Sequence, residues 1–276
     1  MRLDLDHVPF AVSDLDGARE GFADLGLDTV YGGEHDNGVT HMALAGFADR
    51  SYVELIARHD PERDSPYWPR FVHEGAGPCA WCVRVEDVHA ATARLIERGS
   101  GVSGPWNDGR ERPDGTPIEW DATFLGRDRW HNALPFLVTD RTPIGRRVPV
   151  TVGAETGLRG IERVVVAVSE IETASERFRR LFRFSRPERD ESERLGADLA
   201  VFPGTPLVLA EPAGDGYVAD RLDRLPQAPC ACLLGTDDFE AATTGYPLTE
   251  TGRWGDRRVA WFEREAVSHR LGVIER

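Results

Sequence analysis

The chain has 276 residues, of which 41% are hydrophobic and 29% charged, and this suits one large or two ordinary globular domains. Its formal net charge is −14, and all 33 basic residues are arginine because the sequence contains no lysine. This acidic balance argues against nucleic acid or an anionic membrane as a partner, since both require clustered cations.

No apolar run is long enough to span a membrane, and "MRLDLDHV" leads into a strand pattern without a secretory signal. We therefore expect a cytoplasmic protein. Acidic residues with arginine and no lysine are typical of a cytoplasm kept at high salt, which predicts a halophilic source. A high-GC genome would also favour arginine over lysine without salt adaptation.

The first elements are a short apolar strand and an amphipathic helix, in "DHVPFAVSDLDGAREGFADLG". Three strand-like segments follow, "LDTVYGG", "GVTHMALAGF" and "SYVELIA", separated by turns rich in Gly, Asp and Asn. This pattern predicts a βαβββ unit. His35 precedes Asp36-Asn37-Gly38, a turn sequence, and we expect it to face solvent.

The strand–helix pattern recurs three times, and further strand segments follow each copy. The copies lie at 80–99, 161–182 and, more faintly, 230–248. The run "RPERDESERLG" in the third copy reads as a solvated charge run.

A seam rich in Pro, Gly and charge at 140–157 separates the second copy from the third. We therefore predict two domains, 1–150 and 151–276, each built of two βαβββ units.

The four cysteines form two close pairs, Cys79 with Cys82 and Cys230 with Cys232, both in apolar, strand-like runs. Zinc or redox Cys-x-x-Cys pairs normally lie on turns, and strand residues three apart point to opposite faces. The pattern favours buried free thiols in a reducing compartment over a metal or redox site.

Strand alternation places Val8 and Phe10 beneath the first helix and leaves His7 on the open face of the sheet. The same argument places Glu54 on this concave side, and we expect His41 to join it. A carboxylate within "YVELI" is costly to bury unless a histidine, a metal or a substrate pairs with it.

Paired βαβββ units, a His on the first strand and a Glu in "ELI" on the fourth resemble the vicinal oxygen chelate superfamily. That superfamily includes glyoxalase I, extradiol dioxygenases and bleomycin-resistance proteins. The stretch "GGEHDNGVTH" before "SYVELIA" is most similar to its glyoxalase-like branch. The resemblance implies an α+β fold in which tandem βαβββ units form two glyoxalase-like half-barrel domains around cavities.

The resemblance also implies a site for a divalent metal ion (Zn, Fe or Mn), with His7 and Glu54 at the ligand positions of the first unit. The second unit departs from the family pattern, because Ala80 stands where a second histidine is expected and "LPFLVTD" has no carboxylate. A third ligand would come from His41, His131 or the substrate.

Two functions remain open on this basis. One is a metal-dependent lyase, isomerase or dioxygenase that chelates a small oxygen-rich substrate and stabilises enolate-like charge, with Glu54 or His41 moving a proton. The other is a metal-free protein that sequesters a small, partly aromatic ligand; a scaffold with an empty cavity is a third reading.

The predicted partner is a small molecule, bound by a monomer or a homodimer. Phe136 is expected to serve core packing rather than the ligand. The residues predicted to contact the ligand are His41, Tyr52, Trp120, Trp130 and His131.

Overall fold

Two curled β-sheets follow one another along the chain, with helices packed against them. The structure is a computed structural model and describes residues 3–126, 133–264, 267 and 269–276. The chain passes from the first sheet to the second between Asp140 and Leu158, and the predicted division at about residue 150 lies in this stretch. No helix within the described ranges is both long enough and apolar enough to cross a membrane.

The first sheet has nine strands in the order β2-β3-β4-β1-β6-β9-β8-β7, and β5 pairs with β1 outside this path. Its strands are β1 (Asp4–Ala11), β2 (Val30–Glu34), β3 (Thr40–Gly46), β4 (Tyr52–Arg58), β5 (Gly77–Pro78), β6 (Cys82–Arg84), β7 (Val102–Glu111), β8 (Pro117–Leu125) and β9 (Phe136–Asp140).

The second sheet has eight strands in the equivalent order, β11-β12-β13-β10-β14-β17-β16-β15. Its strands are β10 (Leu158–Ala167), β11 (Glu188–Ser192), β12 (Ala197–Val201), β13 (Leu207–Pro212), β14 (Ala228–Thr236), β15 (Leu248–Trp254), β16 (Arg257–Phe262) and β17 (Leu271–Glu275).

The pairing shows the same βαβββ unit four times. In each sheet the first strand of a unit runs parallel to the last strand of that unit, as in β1 with β4 and β6 with β9. The first strands of the two units pair antiparallel, β1 with β6 and β10 with β14. This confirms the predicted α+β fold of tandem βαβββ units that form two half-barrels.

Four of the helices follow the first strand of a unit, and the others lie in the connections. They are α1 (Leu15–Asp24), α2 (Pro69–Glu74), α3 (Val88–Glu97), α4 (Ile144–Arg147), α5 (Ile171–Phe182), α6 (Tyr217–Arg224) and α7 (Phe239–Gly245), with a 3-10 turn at Ala154–Thr156.

An aspartate starts three of the unit helices in the same way. The side chains of Asp14, Asp87 and Asp238 each accept a hydrogen bond from a backbone N–H in the first turn of α1, α3 and α7. Such caps satisfy donors that an isolated helix leaves unpaired, so the repeated Asp at these junctions fixes where each helix begins.

The helix-covered faces of both sheets share one apolar core. This cluster contains Phe10 and Phe22 from the first half of the chain and Leu181 from α5 in the second. The rings of Trp81 and Phe178, one from each half, lie 6.3 Å apart between centroids. Because the halves bury apolar surface against each other, each stabilises the other.

The outer strands of three units were not predicted. The strands β7, β11 and β15 are polar. The run "RPERDESERLG" is mostly exposed, as predicted, but part of it also forms the edge strand β11. All three strands lie at the ends of the strand orders, where most of their charged side chains reach solvent and discourage pairing with other chains.

All four cysteines are buried and free, as predicted. Burial raises the pKa of the thiols of Cys79, Cys82 and Cys232, and raises that of Cys230 to about 11. The neutral thiol is the stable form of each.

Candidate functional site

The concave face of the first sheet forms a cavity with a polar end and an aromatic wall. Its empty volume is about 590 Å³, including the part open to solvent. Strands from both units line it, together with the connections that contain α2 and α4. The lining residues are His7, His35, Met42, Tyr52, Glu54, Tyr67, Trp68, Asp108, Arg110, Trp120, Ala122, Phe124, Phe136, Val138 and Arg147.

His7 reaches the polar end from β1, where the pairing with β6 shifts between Leu5 and His7. A bulge of this kind changes the direction of side chains, and Nδ1 of His7 lies 2.7 Å from Oδ1 of the preceding residue, Asp6. Asp6 is a carboxylate and can only accept, so Nδ1 of His7 carries a proton, and its Nε2 faces the cavity.

Asp6 is fully buried behind His7 and was missed by the sequence analysis. Arg147 donates to both of its oxygens, and Nε of Arg84 donates to Oδ2, each at 2.8 Å. Burial opposes its charge, but the charge and hydrogen bonds of Arg147, with the bond from His7, outweigh burial and hold the pKa of Asp6 below its ordinary value.

Glu54 lies on β4 beside β1, with Pro9 as its partner in the parallel ladder. One carboxylate oxygen is 3.4 Å from Nε2 of His7, and only 6% of the residue is exposed. Burial opposes the charge of Glu54, but the bond from His35 and the charges of His7, His35 and Arg110 lower its pKa below the ordinary value. The structure thus brings His7 and Glu54 together.

His35 belongs to this group, and its expected exposure to solvent is wrong. Its Nε2 is 3.5 Å from the second oxygen of Glu54, and its Nδ1 is 2.9 Å from Oγ1 of Thr40. An isolated bridge pairs His35 with Arg110, so the turn folds back against the second unit. The sequence feature that could have indicated this position is that His35 is the first histidine of the "GGEHDNGVTH" stretch.

His41 does not face the cavity, and its expected placement beside Glu54 is wrong. In the antiparallel ladder of β3 and β4, Glu54 pairs with Leu44, whereas His41 pairs with Ala57 on the opposite face. His41 is half-buried there, and its ring lies 5.5 Å from that of His59. Burial and the charge of His59 lower the pKa of His41.

Small residues explain this orientation of β3. Ala43 and Ala45 share the face of His41 and leave room for α1 to pack against the strand. The larger Met42 and Leu44 point the other way and pack against Tyr52. Relative side-chain size therefore decides which face of β3 the helix covers.

Two arginines bring positive charge to the cavity. Arg147 belongs to α4 and donates to the hydroxyl of Tyr52 at 3.0 Å, besides its bonds to Asp6. Arg110 on β7 donates to the backbone oxygens of Gly32 and Arg147, and burial lowers its pKa. Their positive charges lie beside the histidines and Glu54.

The aromatic wall comes mainly from the second unit and from the connection before α2. Trp120 and Tyr52 line the cavity, and the ring of Tyr52 stacks on His7 at 4.4 Å. Phe136 also lines it and stacks on Phe124 at 5.0 Å, so it contacts the cavity as well as the core. The predicted ligand contacts Trp130 and His131 lie outside the described residues.

Within the described part of the second half-barrel, other residues replace these polar groups. The equivalent register places Arg163 and Val208 at the positions of His7 and Glu54. Burial lowers the pKa of Arg163 to about 10. The inner face is filled by apolar side chains, namely Leu199, Val208, Leu233, Trp254, Val259 and Trp261.

Two groups in the first half-barrel offer donor atoms for a cation. The donors of Asp6, His7 and Cys82 lie within 4.8 Å of one another, but Asp6 is bound by two arginines and burial keeps Cys82 protonated. Nε2 of His7 with the carboxylate of Glu54 fits better. Imidazole nitrogen and carboxylate suit zinc, iron and manganese, and a carboxylate on Nδ1 is the usual outer partner of a ligating histidine.

The sequence matches the model of a glyoxalase-like domain family over residues 5–182, which is more than half of the chain. This segment includes the whole first sheet and continues through β10 and α5. A search of curated proteins finds no match.

Solved structures with the same fold cover nearly the whole chain. A hypothetical protein from Staphylococcus aureus is 13% identical, with 99% of each chain covered and a TM-score of 0.66. A mutant of 4-hydroxymandelate synthase from Streptomyces coelicolor is 13% identical, with 99% of this chain and 92% of that one covered and a TM-score of 0.63.

A fusion protein of a xylose isomerase-like TIM barrel and 4-hydroxyphenylpyruvate dioxygenase is 16% identical, with a TM-score of 0.57. All of this chain aligns with 49% of that protein. At these identities the likeness establishes the fold.

Proposed function

The chain belongs to the glyoxalase-like domain family of the vicinal oxygen chelate superfamily, and we propose that it is a divalent-metal-dependent enzyme acting on a small oxygen-rich substrate. His7 and Glu54 would hold the ion. The observation that carries the proposal is the approach of His7 Nε2 to within 3.4 Å of a buried Glu54 oxygen, with Asp6 fixing the proton of His7 on Nδ1.

A divalent ion bound there supplies Lewis-acid charge to a substrate with two adjacent oxygens and to the enolate-like charge that develops. The chain's own groups orient the substrate and exclude water. Glu54 is a carboxylate and can accept a proton from a bound substrate, whereas His41 is on the wrong face of β3 for this role.

The lining supports a substrate with an apolar, flat portion and negatively polarised oxygens. Trp120, Phe124 and Phe136 offer aromatic surface on one side of the cavity. Arg110 brings a buried guanidinium to the polar end, where it favours an anionic group. The proposed class includes dioxo and catechol-like compounds.

The second candidate function is metal-free sequestration of a small, partly aromatic ligand in the same cavity. The lining from the second unit favours this function. That unit contributes aromatic surface and Ala122, but it lacks the histidine and the carboxylate that the family resemblance predicts as metal ligands. In that case the histidines and Glu54 would satisfy one another as hydrogen-bonding partners.

The second half-barrel is proposed to be a structural partner, taking the place of the dimer mate that many superfamily members use. Arg163 and Val208 at the two ligand positions, and the filled inner face, support this. The proposed setting is a cytoplasm of high salt. A comparison of the protein's thermal stability at low and high salt tests this directly.

The test is the metal content of wild-type protein purified without a histidine tag, compared with His7→Ala and Glu54→Gln. We expect near-stoichiometric metal in wild type that both variants lose. Wild-type protein that contains no metal and takes up none when zinc, iron or manganese is offered contradicts the enzyme proposal and leaves the binding function.

A further inference from the structure

We propose that Arg110 is the carboxylate-binding residue of the cavity, so that the ligand is an aromatic carboxylic acid whose ring lies on the aromatic wall. The inference rests on the proposed use of this cavity as the ligand site, and it names the class of compound that the site takes. The guanidinium comes from β7, and the rings of Trp120, Phe124 and Phe136 come from β8 and β9. The second unit can therefore hold both parts of such a ligand.

Arg110 is a buried cation that forms no ion pair with a carboxylate of the described residues. Only 5% of the residue is exposed, and its side chain lines the cavity. One terminal nitrogen donates to the carbonyl of Gly32, and the other donates to the carbonyl of Arg147 at 2.9 Å. A guanidinium has five N–H groups, so these two bonds leave others for a ligand. Because a buried charge without a counter-ion is costly, the arrangement favours an anionic ligand.

Arg147 shows the effect of a counter-charge in the same cavity. Its guanidinium donates to both oxygens of Asp6 and to both oxygens of Asp140. Burial opposes the charge of Arg147, but the charge of Asp6 and these bonds outweigh burial and raise its pKa well above the ordinary value. At Arg110 burial prevails, and the pKa is lowered. A carboxylate on the ligand would give Arg110 the partner that Asp6 gives Arg147.

The two other carboxylates that line the cavity have partners of their own. The oxygens of Glu54 lie 3.4 Å and 3.5 Å from the Nε2 atoms of two imidazoles. Its charge opposes the effect of burial on the pKa of Arg110, but the two residues form no ion pair. Asp108, two residues before Arg110 on β7, accepts from the N–H of Gly109 at 2.9 Å and from the side chain of Tyr67. Neither carboxylate takes the place of an anionic ligand.

The shape and the chemistry of the lining favour a flat acid. A planar carboxylate suits the fork of N–H groups that a guanidinium presents. The rings of Phe124 and Phe136 stack 5.0 Å apart beside the cavity, and an aromatic ligand buries its surface well against such rings. The backbone of Arg110 is held by its pairing with Ile118 and by the bridge to His35, so the guanidinium starts from a fixed strand.

The experiment compares the binding of phenylacetate with that of phenylacetamide, a neutral compound of the same shape, to the purified protein. Calorimetry and the quenching of tryptophan fluorescence measure both. We expect wild type to bind phenylacetate at least about 10-fold more tightly. Arg110→Gln should weaken the binding of phenylacetate by about 10–100-fold and leave that of phenylacetamide unchanged. Arg110→Lys keeps the charge without the planar fork and should lose only part of the affinity.

Arg112→Gln is the matched control, because Arg112 pairs with Asp114 and is not among the residues that line the cavity. It should bind both compounds as wild type does, and circular dichroism establishes that each variant is folded. The inference is overturned if wild type binds the two compounds equally, if it binds neither, or if Arg110→Gln weakens both alike. Metal content, measured on the same samples, decides the proposed metal dependence separately, so that either proposal can fail while the other stands.

Discussion

The guanidinium of Arg147 donates to both oxygens of Asp6, with each nitrogen 2.8 Å from its acceptor, although the two residues are 141 positions apart in sequence. The pair is buried directly behind His7. It therefore couples the end of the first half-barrel to the first strand and fixes the orientation of the histidine ring.

Asp6→Asn should lower the free energy of unfolding by up to about 3–5 kcal/mol, because the buried guanidinium of Arg147 loses one of its two carboxylate partners and keeps only Asp140. The exposed Asp16, which pairs with Arg19 at 3.3 Å, is the matched control. Its Asn variant should stay within about 0.5 kcal/mol of wild type. Urea unfolding measures both, and equal effects at the two positions would contradict a structural role for the buried pair.

Tyr52→Phe should lower the free energy of unfolding by about 0.5–1.5 kcal/mol, since Arg147 loses the hydroxyl that it binds at 3.0 Å. The ring keeps its stacking on His7. The affinity for Zn²⁺, measured by calorimetry, should therefore remain that of wild type. A large loss of affinity would mean that the hydroxyl, rather than the ring, maintains the site.

Thr40→Val should weaken metal binding by about 10-fold, because Nδ1 of His35 loses the partner that orients its ring toward the second oxygen of Glu54. Thr123→Val is the control, since Thr123 is an equally buried hydroxyl that bonds to Thr92. Calorimetric titration with Zn²⁺ compares them. Equal affinities in the two variants would argue that Thr40 does not orient His35.

Gly46→Ala should destabilise the fold by about 1–3 kcal/mol, because an added Cβ would lie 2.0 Å from the carbonyl oxygen of Pro149. Gly21→Ala in α1 meets nothing within 4 Å and should instead stabilise by about 0.5–1 kcal/mol. Thermal unfolding measures both, and the melting temperature should fall for Gly46→Ala and rise for Gly21→Ala. Stabilisation by Gly46→Ala would mean that the segment after α4 is not packed on β3.

None of the four thiols should react with Ellman's reagent in the native protein at pH 8, whereas all four should react in guanidinium chloride. Burial raises the pKa of Cys230 from 9.0 to about 11, so its thiolate is scarce at pH 8. The stability gained from the neutral thiol is complete below pH 9 and is lost as the pH rises through 11. Rapid native labelling of any cysteine would contradict the burial.

Apolar runs bounded by turn residues were enough to predict the inner strands of every unit, because most positions of these strands are buried. They could not predict β7, β11 and β15, which lie at sheet edges and carry charged residues on both faces. Pairing with an inner neighbour, which is a property of the whole sheet, makes these segments strands.

Alternation predicted that His7 and Glu54 would meet. Alternation alone placed His41 on the wrong face of β3. The helix α1 packs on the face with small side chains, and this packing decides which face of β3 is covered. Asp6 reaches its partners through a bulge, and His35 through a turn that a distant strand holds in place. Both depend on contacts between units, which no local pattern contains.

The donors and the part of the aromatic wall that the second unit supplies come from separate stretches of the chain. His7 and Glu54 lie in the first unit, whereas Trp120, Phe124 and Phe136 lie in the second. These aromatic residues can therefore be substituted without changing the residues that supply the donors. We expect a library randomised only at these aromatic residues to yield folded variants with new ligand preferences and unchanged metal affinity. Ligand preference and metal binding could then evolve separately, one unit at a time.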